Sequence, residues 1–155
     1  MKDEWYTPAW ITDPLGDFDL DPAAPVGKHQ AIAKKEYTKQ DDGLKQDWHG
    51  RVWLNPPFSH PAMRLFVKKM SRHGNGIMLV LNRGFDSAWF QDYIFGKADA
   101  ILFLRGRIKF IDPSGKEMGS SPIGCSLVAY GAENARILEQ CGLKGKCIKL
   151  KTENV

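Results

Sequence analysis

Arg51-Val52-Trp53-Leu54-Asn55-Pro56-Pro57-Phe58 is a short apolar run cut off by two consecutive prolines. Proline lacks the N–H that a central ladder needs and fixes φ, so this stretch predicts a strand over 51–54 passing at once into a rigid loop. Upstream the same pattern recurs. Residues 17–20 form a run that ends at Asp21-Pro22, which predicts a first strand stopped by a turn. Between the two, residues 29–37 carry Ala31, Ile32 and Ala33 among lysines, a weak helical pattern, and Asp41-Asp42-Gly43 supplies a turn. Downstream, Met63, Phe66, Val67 and Met70 recur at three- and four-residue spacing with Lys68, Lys69 and Arg72 opposite, which predicts a helix over 61–72. Gly74 and Gly76 end it, and the unbroken apolar run 77–81 reads as a parallel central strand buried on both faces.

Residues 87–95 predict a short helix with Ser87 as its cap, and 100–104 another apolar strand. Next, Arg105, Arg107 and Lys109 alternate with Gly106, Ile108 and Phe110, so a strand here presents three cations on one face and an apolar surface on the other. Residues 112–122, rich in Gly, Ser and Pro, read as an exposed loop before a strand over 124–130. No helix separates these strands, which implies an antiparallel pair. A helix over 133–140, closed by Gly142, and a lysine-guarded edge strand over 145–150 complete the chain. The fold class is therefore α/β, a layered, mostly parallel sheet with an antiparallel strand near the C-terminus. Ligands of such sheets sit at the carboxyl ends of the strands, which makes Asp19, Asp21 and Asn55 candidates for a site.

The 155 residues suffice for one core, so residues 1–155 are expected to form a single domain with no separate recognition domain. A hydrophobic share of 43% and an aromatic share of 11% exclude a disordered chain. The net charge of +4 permits a polyanionic partner without requiring one. Cys125, Cys141 and Cys147 have no zinc-like spacing and read as reduced thiols, so no metal is expected. No apolar stretch has the length of a membrane span and residues 1–10 are not signal-like, so a cytoplasmic protein without a membrane partner is expected.

Asn55-Pro56-Pro57-Phe58 puts an amide, two stiff residues and an aromatic ring at the mouth of a strand. An exocyclic amine on a nucleobase is a poor nucleophile because its lone pair is delocalised into the ring. A catalyst must localise that pair by accepting the amine hydrogens. The Asn55 side-chain oxygen and the Pro56 carbonyl are suited to this, Pro57 stiffens the loop, and Phe58 offers a face on which an extruded base can stack.

Further segments accompany this loop: Asp3-Glu4-Trp5-Tyr6-Thr7-Pro8, Phe18-Asp19-Leu20-Asp21-Pro22-Ala23-Ala24, Asp42-Gly43-Leu44 with Trp48, Ser87-Ala88-Trp89-Phe90 and Gly106-Arg107-Ile108-Lys109-Phe110. With residues 52–59 they make the sequence resemble the phage DNA N-6-adenine methyltransferase family, compact Dam-like enzymes of phages and prophages. The resemblance runs over residues 3 to about 131. It implies a Rossmann-like methyltransferase fold, S-adenosylmethionine as cofactor, double-stranded DNA as partner and action in the bacterial host cytoplasm. Tyr6, Thr7 and Pro8 are then expected over the cofactor's methionine part. Residues 19–24 stand where most methyltransferases carry a glycine-rich loop, and no such glycine pair is present here. Asp19 or Asp21, beside Pro22, is expected to bind the cofactor's ammonium or ribose, and Asp41 or Asp42 its adenine amine. Asn55 borders the same ligand. Arg105, Arg107 and Lys109 are the candidates for DNA phosphate contact, since cations two apart can follow a backbone.

Similar loops serve other planar amines, so cytosine N4, an RNA base and a protein glutamine remain alternatives. A catalytically inactive DNA-binding homologue is a further one. Small size could be offset by dimerisation, but nothing in the sequence establishes a homodimer.

Overall fold

The computed structural model describes residues 5–150; Asp3 and Glu4 of the first resembling segment lie outside the described residues. The two proline-terminated runs are strands β1 (Phe18–Asp21) and β3 (Val52–Leu54), and between them lies β2 (Ala33–Glu36). The weak helical pattern over 29–37 is thus overturned. Ala33-Lys34-Lys35-Glu36 pairs in parallel with β1, Leu20 opposite Lys35 and Asp21 opposite Glu36. A strand at the edge of a sheet with one face in water keeps its polar side chains, and tertiary pairing outweighs weak local propensity.

The predicted helix is α2 (Ala62–His73), which buries Met63, Phe66, Val67 and Met70. Each such side chain contributes about 2 kcal/mol of burial. β4 (Gly76–Leu81) is buried throughout. Ser87 caps α3 (Ala88–Phe90), its Oγ accepting from the Phe90 N–H, and the chain continues through a π-turn, Gln91–Phe95. Then come β5 (Ala100–Leu104), β6 (Cys125–Tyr130), a helix Ala132–Gln140 and β7 (Gly145–Lys149). Near the start, α1 (Ala9–Thr12) and a 3-10 turn, Asp13–Leu15, form a short helical segment that the periodicity does not announce; the helix Ala132–Gln140 is α4.

One seven-stranded sheet runs in the order β2-β1-β3-β4-β6-β5-β7. Pairing is parallel from β2 to β4 and antiparallel from β4 onward. Because β6 is antiparallel to both β4 and β5, those two share the direction of β1 and β3. The carboxyl ends of β1, β3, β4 and β5 therefore face one edge of the sheet.

Alternation along β4 divides the core. Ile77, Leu79 and Leu81 join Ile11, Leu15, Phe18 and Trp53 on one face, whereas Met78 and Val80 join Met63, Phe66, Val67 and Phe90 on the other. The expected strand over 105–109 is absent. Its alternation survives, with Ile108 and Phe110 buried and Arg107 and Lys109 exposed. The backbone, however, bonds to an irregular stretch, the Phe110 carbonyl accepting from Met118 and that of Ile108 from Ser121. Among the described residues, no helix is long and apolar enough to cross a membrane.

Candidate active site

At the carboxyl edge of β1 and β3 lies a cavity of about 950 Å³. Its wall brings together Tyr6, Thr7, Pro8, Asp21, Pro22, Asp42, Asn55 and Pro57, residues scattered through the first half of the chain. The strand ends supply Asp21 and Asn55, and the segment 5–8 crosses above them. That segment is anchored by a two-way bridge: the Tyr6 N–H donates to the Ile111 carbonyl and the Ile111 N–H to the Tyr6 carbonyl, both at 2.9 Å.

Asn55 is held in one orientation. Its Nδ2 donates to the Trp5 carbonyl at 2.9 Å and to the Thr7 Oγ1 at 3.1 Å. A backbone carbonyl can only accept, so the amide nitrogen must face it and the oxygen must face away. Among the described residues, neither Asn55 Oδ1 nor the Pro56 carbonyl accepts a hydrogen bond. Asn55 lines the cavity, so its Oδ1 is available to a ligand there, whereas Pro56 is buried and outside the cavity wall.

The four aspartates separate. Asp19 is not part of the cavity wall: its Oδ2 accepts from the Arg51 N–H at 2.8 Å, tying β1 to the start of β3 two residues back from the carboxyl edge. Asp41 closes a local turn, its carboxylate accepting from the Thr38 N–H at 2.8 Å. Asp21 and Asp42 line the cavity. Asp42 adopts a left-handed backbone, φ 56°, and packs its turn onto Pro22. The next residue must be glycine there, because a Cβ on Gly43 would lie 1.9 Å from the Pro22 carbonyl oxygen.

Asp21 is 3% exposed. Burial pushes its carboxyl up to about 7; a hydrogen bond from the Ala23 N–H opposes this, Glu36 adds to it and His29 opposes it. His29 lines the same cavity, and its Nδ1 and Nε2 lie 2.6 Å from the Gly27 carbonyl and the Glu36 carboxylate. Both partners offer acceptor oxygens, an arrangement that favours the doubly protonated, cationic ring. Burial works most strongly against that charge, but the Glu36 and Gly27 hydrogen bonds together with the negative charges of Glu36 and Asp21 outweigh it and raise the imidazole above its usual range. The sequence reading missed His29 and Glu36. Neither has a local signal, since they meet Asp21 only once β2 is seated beside β1.

Besides Asp19 and Asp41, two residues expected in the catalytic loop are not brought to the cavity wall. Pro56 is buried behind it. Phe58, expected as a stacking face, is 3% exposed and packed edge-on against Trp5 at 5.5 Å and Phe110 at 6.2 Å. An aromatic ring turned inward by the proline bend gains more from core contact than from water. Trp5, half-buried in the cavity wall, is the aromatic surface there instead.

Arg105, Arg107 and Lys109 follow β5 on the same carboxyl edge, outside the cavity. Arg107 donates to the Ser121 and Pro122 carbonyls, and Lys109 lies 4.0 Å from Glu117. Arg105 is exposed.

A family model described as DNA N-6-adenine-methyltransferase (Dam) matches residues 1–137. The DNA N-6-adenine-methyltransferase of Escherichia phage T1 is 35% identical over 101 residues, 59% of this chain and 41% of that protein. The match thus spans about two-fifths of the relative's length. No solved structure matches the chain. The family match covers both proline-stopped strands, the cavity they open into and the loop that holds Asn55, and on that footing the chain belongs to the DNA N-6-adenine-methyltransferase (Dam) family.

Proposed function

We propose that the chain is a DNA methyltransferase that transfers a methyl group from S-adenosylmethionine to N6 of adenine at specific sites in double-stranded DNA. In this reading the fold is Rossmann-like, residues 1–155 act as one unit without a separate recognition domain, and the gene is of phage or prophage origin. The phage T1 relative supports the last point.

The observation that carries the reading is the fixed Asn55 amide at the wall of a cavity large enough for a nucleoside. The donor set of that wall also fits the cofactor. Carboxylates of Asp21 and Asp42 suit an ammonium, ribose hydroxyls or an adenine amine, while Trp5, Pro8, Leu44 and Phe66 offer apolar cover. Tyr6, Thr7, Pro8, Pro22 and Asn55 would border it. S-adenosylmethionine, when bound, supplies an electrophilic methyl group on a sulfonium.

The chain's task is to aim the amine. Asn55 Oδ1 accepts one of its hydrogens, which draws the nitrogen toward tetrahedral geometry and frees its lone pair to attack; the Pro56 carbonyl, which lies behind the wall, would have to come forward to accept the second. Pro57 limits the loop's motion, so the aim of Asn55 is set before substrate arrives. Held against Asp21 and Asp42, the cofactor would supply the methyl carbon and keep on its sulfur the electron pair of the bond given up. The methylated amine then sheds a proton to water. Phe58 supports the loop from within, and Trp5 offers the surface against which a base can lie. Arg105, and Arg107 and Lys109 where they leave their internal partners, meet phosphates.

Incubating random-sequence duplex with labelled S-adenosylmethionine and identifying the modified base tests the proposal. N6-methyladenine in DNA is the expected product; label on cytosine N4, RNA or protein overturns the substrate assignment. A homologue that binds DNA but never transfers label would overturn the activity.

A further inference from the structure

A single exposed ring on a loose loop needs no explanation. Phe85 is a different case: it is 39% exposed yet sits on a pinned loop between β4 and α3. Its carbonyl accepts from Gln91 Nε2 at 2.6 Å, the neighbouring Gly84 carbonyl accepts from the Ser87 N–H at 3.0 Å, and its ring stands edge-on to Phe90 at 5.0 Å. Arg83, two residues before it, is exposed, and its guanidinium makes no hydrogen bond or ion pair with a described residue.

The position of this loop is set by register. Leu54, the last residue of β3, pairs with Met78, and β4 then continues to Leu81. Three more residues carry the strand about 10 Å further out. The loop therefore stands beyond the mouth at which Asn55 sits, on the same edge of the sheet, with an apolar ring and a free cation at its tip.

An adenine inside a duplex cannot enter a cavity at a sheet edge; it must swing out of the stack, which costs a few kcal/mol and leaves a gap. An apolar side chain inserted at the vacated step offsets part of that cost. We propose that Phe85 occupies the gap left by the extruded adenine and that Arg83 holds a flanking phosphate. This rests on the DNA-adenine reading above. Phe85 is then a positioning residue: it acts on the duplex and leaves the methyl transfer itself to the cavity.

The test uses the target duplex identified by the labelling experiment, and the same duplex with an abasic site in place of the thymine opposite the target adenine. Without its partner the adenine swings out cheaply and needs no prop. Phe85→Ala is expected to lower kcat/KM on the paired duplex relative to the abasic one by about tenfold, an energy of about 1.4 kcal/mol. Phe85→Trp should restore the ratio, and calorimetry should find cofactor binding unchanged in both variants. Equal loss on the two duplexes, or no loss on either, overturns this role while leaving the enzyme's reaction intact. A wild-type protein that labels no DNA overturns the reaction and this role with it.

Discussion

Truncating Asn55 to alanine removes one acceptor for the target amine while leaving Asp21, Asp42 and Trp5 around the cavity. Because that acceptor matters most as charge develops on the nitrogen, Asn55→Ala is expected to lower kcat by about 10²- to 10³-fold. Cofactor binding measured by calorimetry should stay largely in place. Full turnover by this variant would remove Asn55 from the mechanism. Asp21 has its own pH signature. Its folded-state pKa of about 7 lies above the ordinary aspartate value of 3.8, so the folded chain holds the proton more tightly than the unfolded chain does. Stability associated with this group is thus fully present below about pH 4 and is lost progressively as pH rises toward 7. Urea titrations of Asp21→Asn and wild type should diverge across that window and run parallel above it. If Asp21 receives the cofactor's cationic ammonium, binding near pH 6.5 should also expel a proton. The binding enthalpy should then vary with the ionisation heat of the buffer; an enthalpy indifferent to buffer would remove Asp21 as the partner of the cofactor's ammonium.

Strands with strong apolar runs are legible at once because burial on both faces leaves them no polar positions, as in β4. Its first residue shows how closely the strands approach. A Cβ on Gly76 would lie 2.1 Å from the Val52 carbonyl oxygen of β3, and φ there is 153°. Gly76→Ala should therefore cost on the order of 3 kcal/mol or more in urea unfolding, and a near-neutral result would mean that the β3 and β4 backbones are not in contact. β2 is illegible for the opposite reason: Ala33-Lys34-Lys35-Glu36 owes its extension to β1, and alone it carries no periodicity that favours a strand. Residues 105–110 mislead differently. Their alternation correctly separates buried Ile108 and Phe110 from exposed cations, but a side-chain pattern cannot report whether the backbone finds a regular ladder.

Across the whole molecule, the proline-stopped strands and the Asn55 loop pointed to the edge of the sheet where the cavity opens, whereas the composition of the cavity wall depended on folding. Asp19 and Asp21 are equivalent as letters; the fold separates them by giving Asp19 the Arg51 N–H, thirty-two positions further along the chain, and by burying Asp21 at the strand end. The slot of β6 between β4 and β5 is likewise a product of three-dimensional pairing. The cavity is built by β1, β3 and the segments around them, far across the sheet from β7. Saturating S-adenosylmethionine at a hundred times its Kd should add about 2.7 kcal/mol of stability. Hydrogen exchange should slow around Trp5, Asp21 and Asn55 and remain unchanged in β7; protection spread evenly over the sheet would place the ligand elsewhere.

The grip on Asn55 comes from Trp5 and Thr7, and they in turn are steadied through Tyr6 by Ile111. Transplanting the tetrapeptide into another scaffold would accordingly carry over its letters and lose its aim: the recipient's amide could spin to present nitrogen as readily as oxygen. An engineer borrowing this chemistry would have to graft three strips of chain at once.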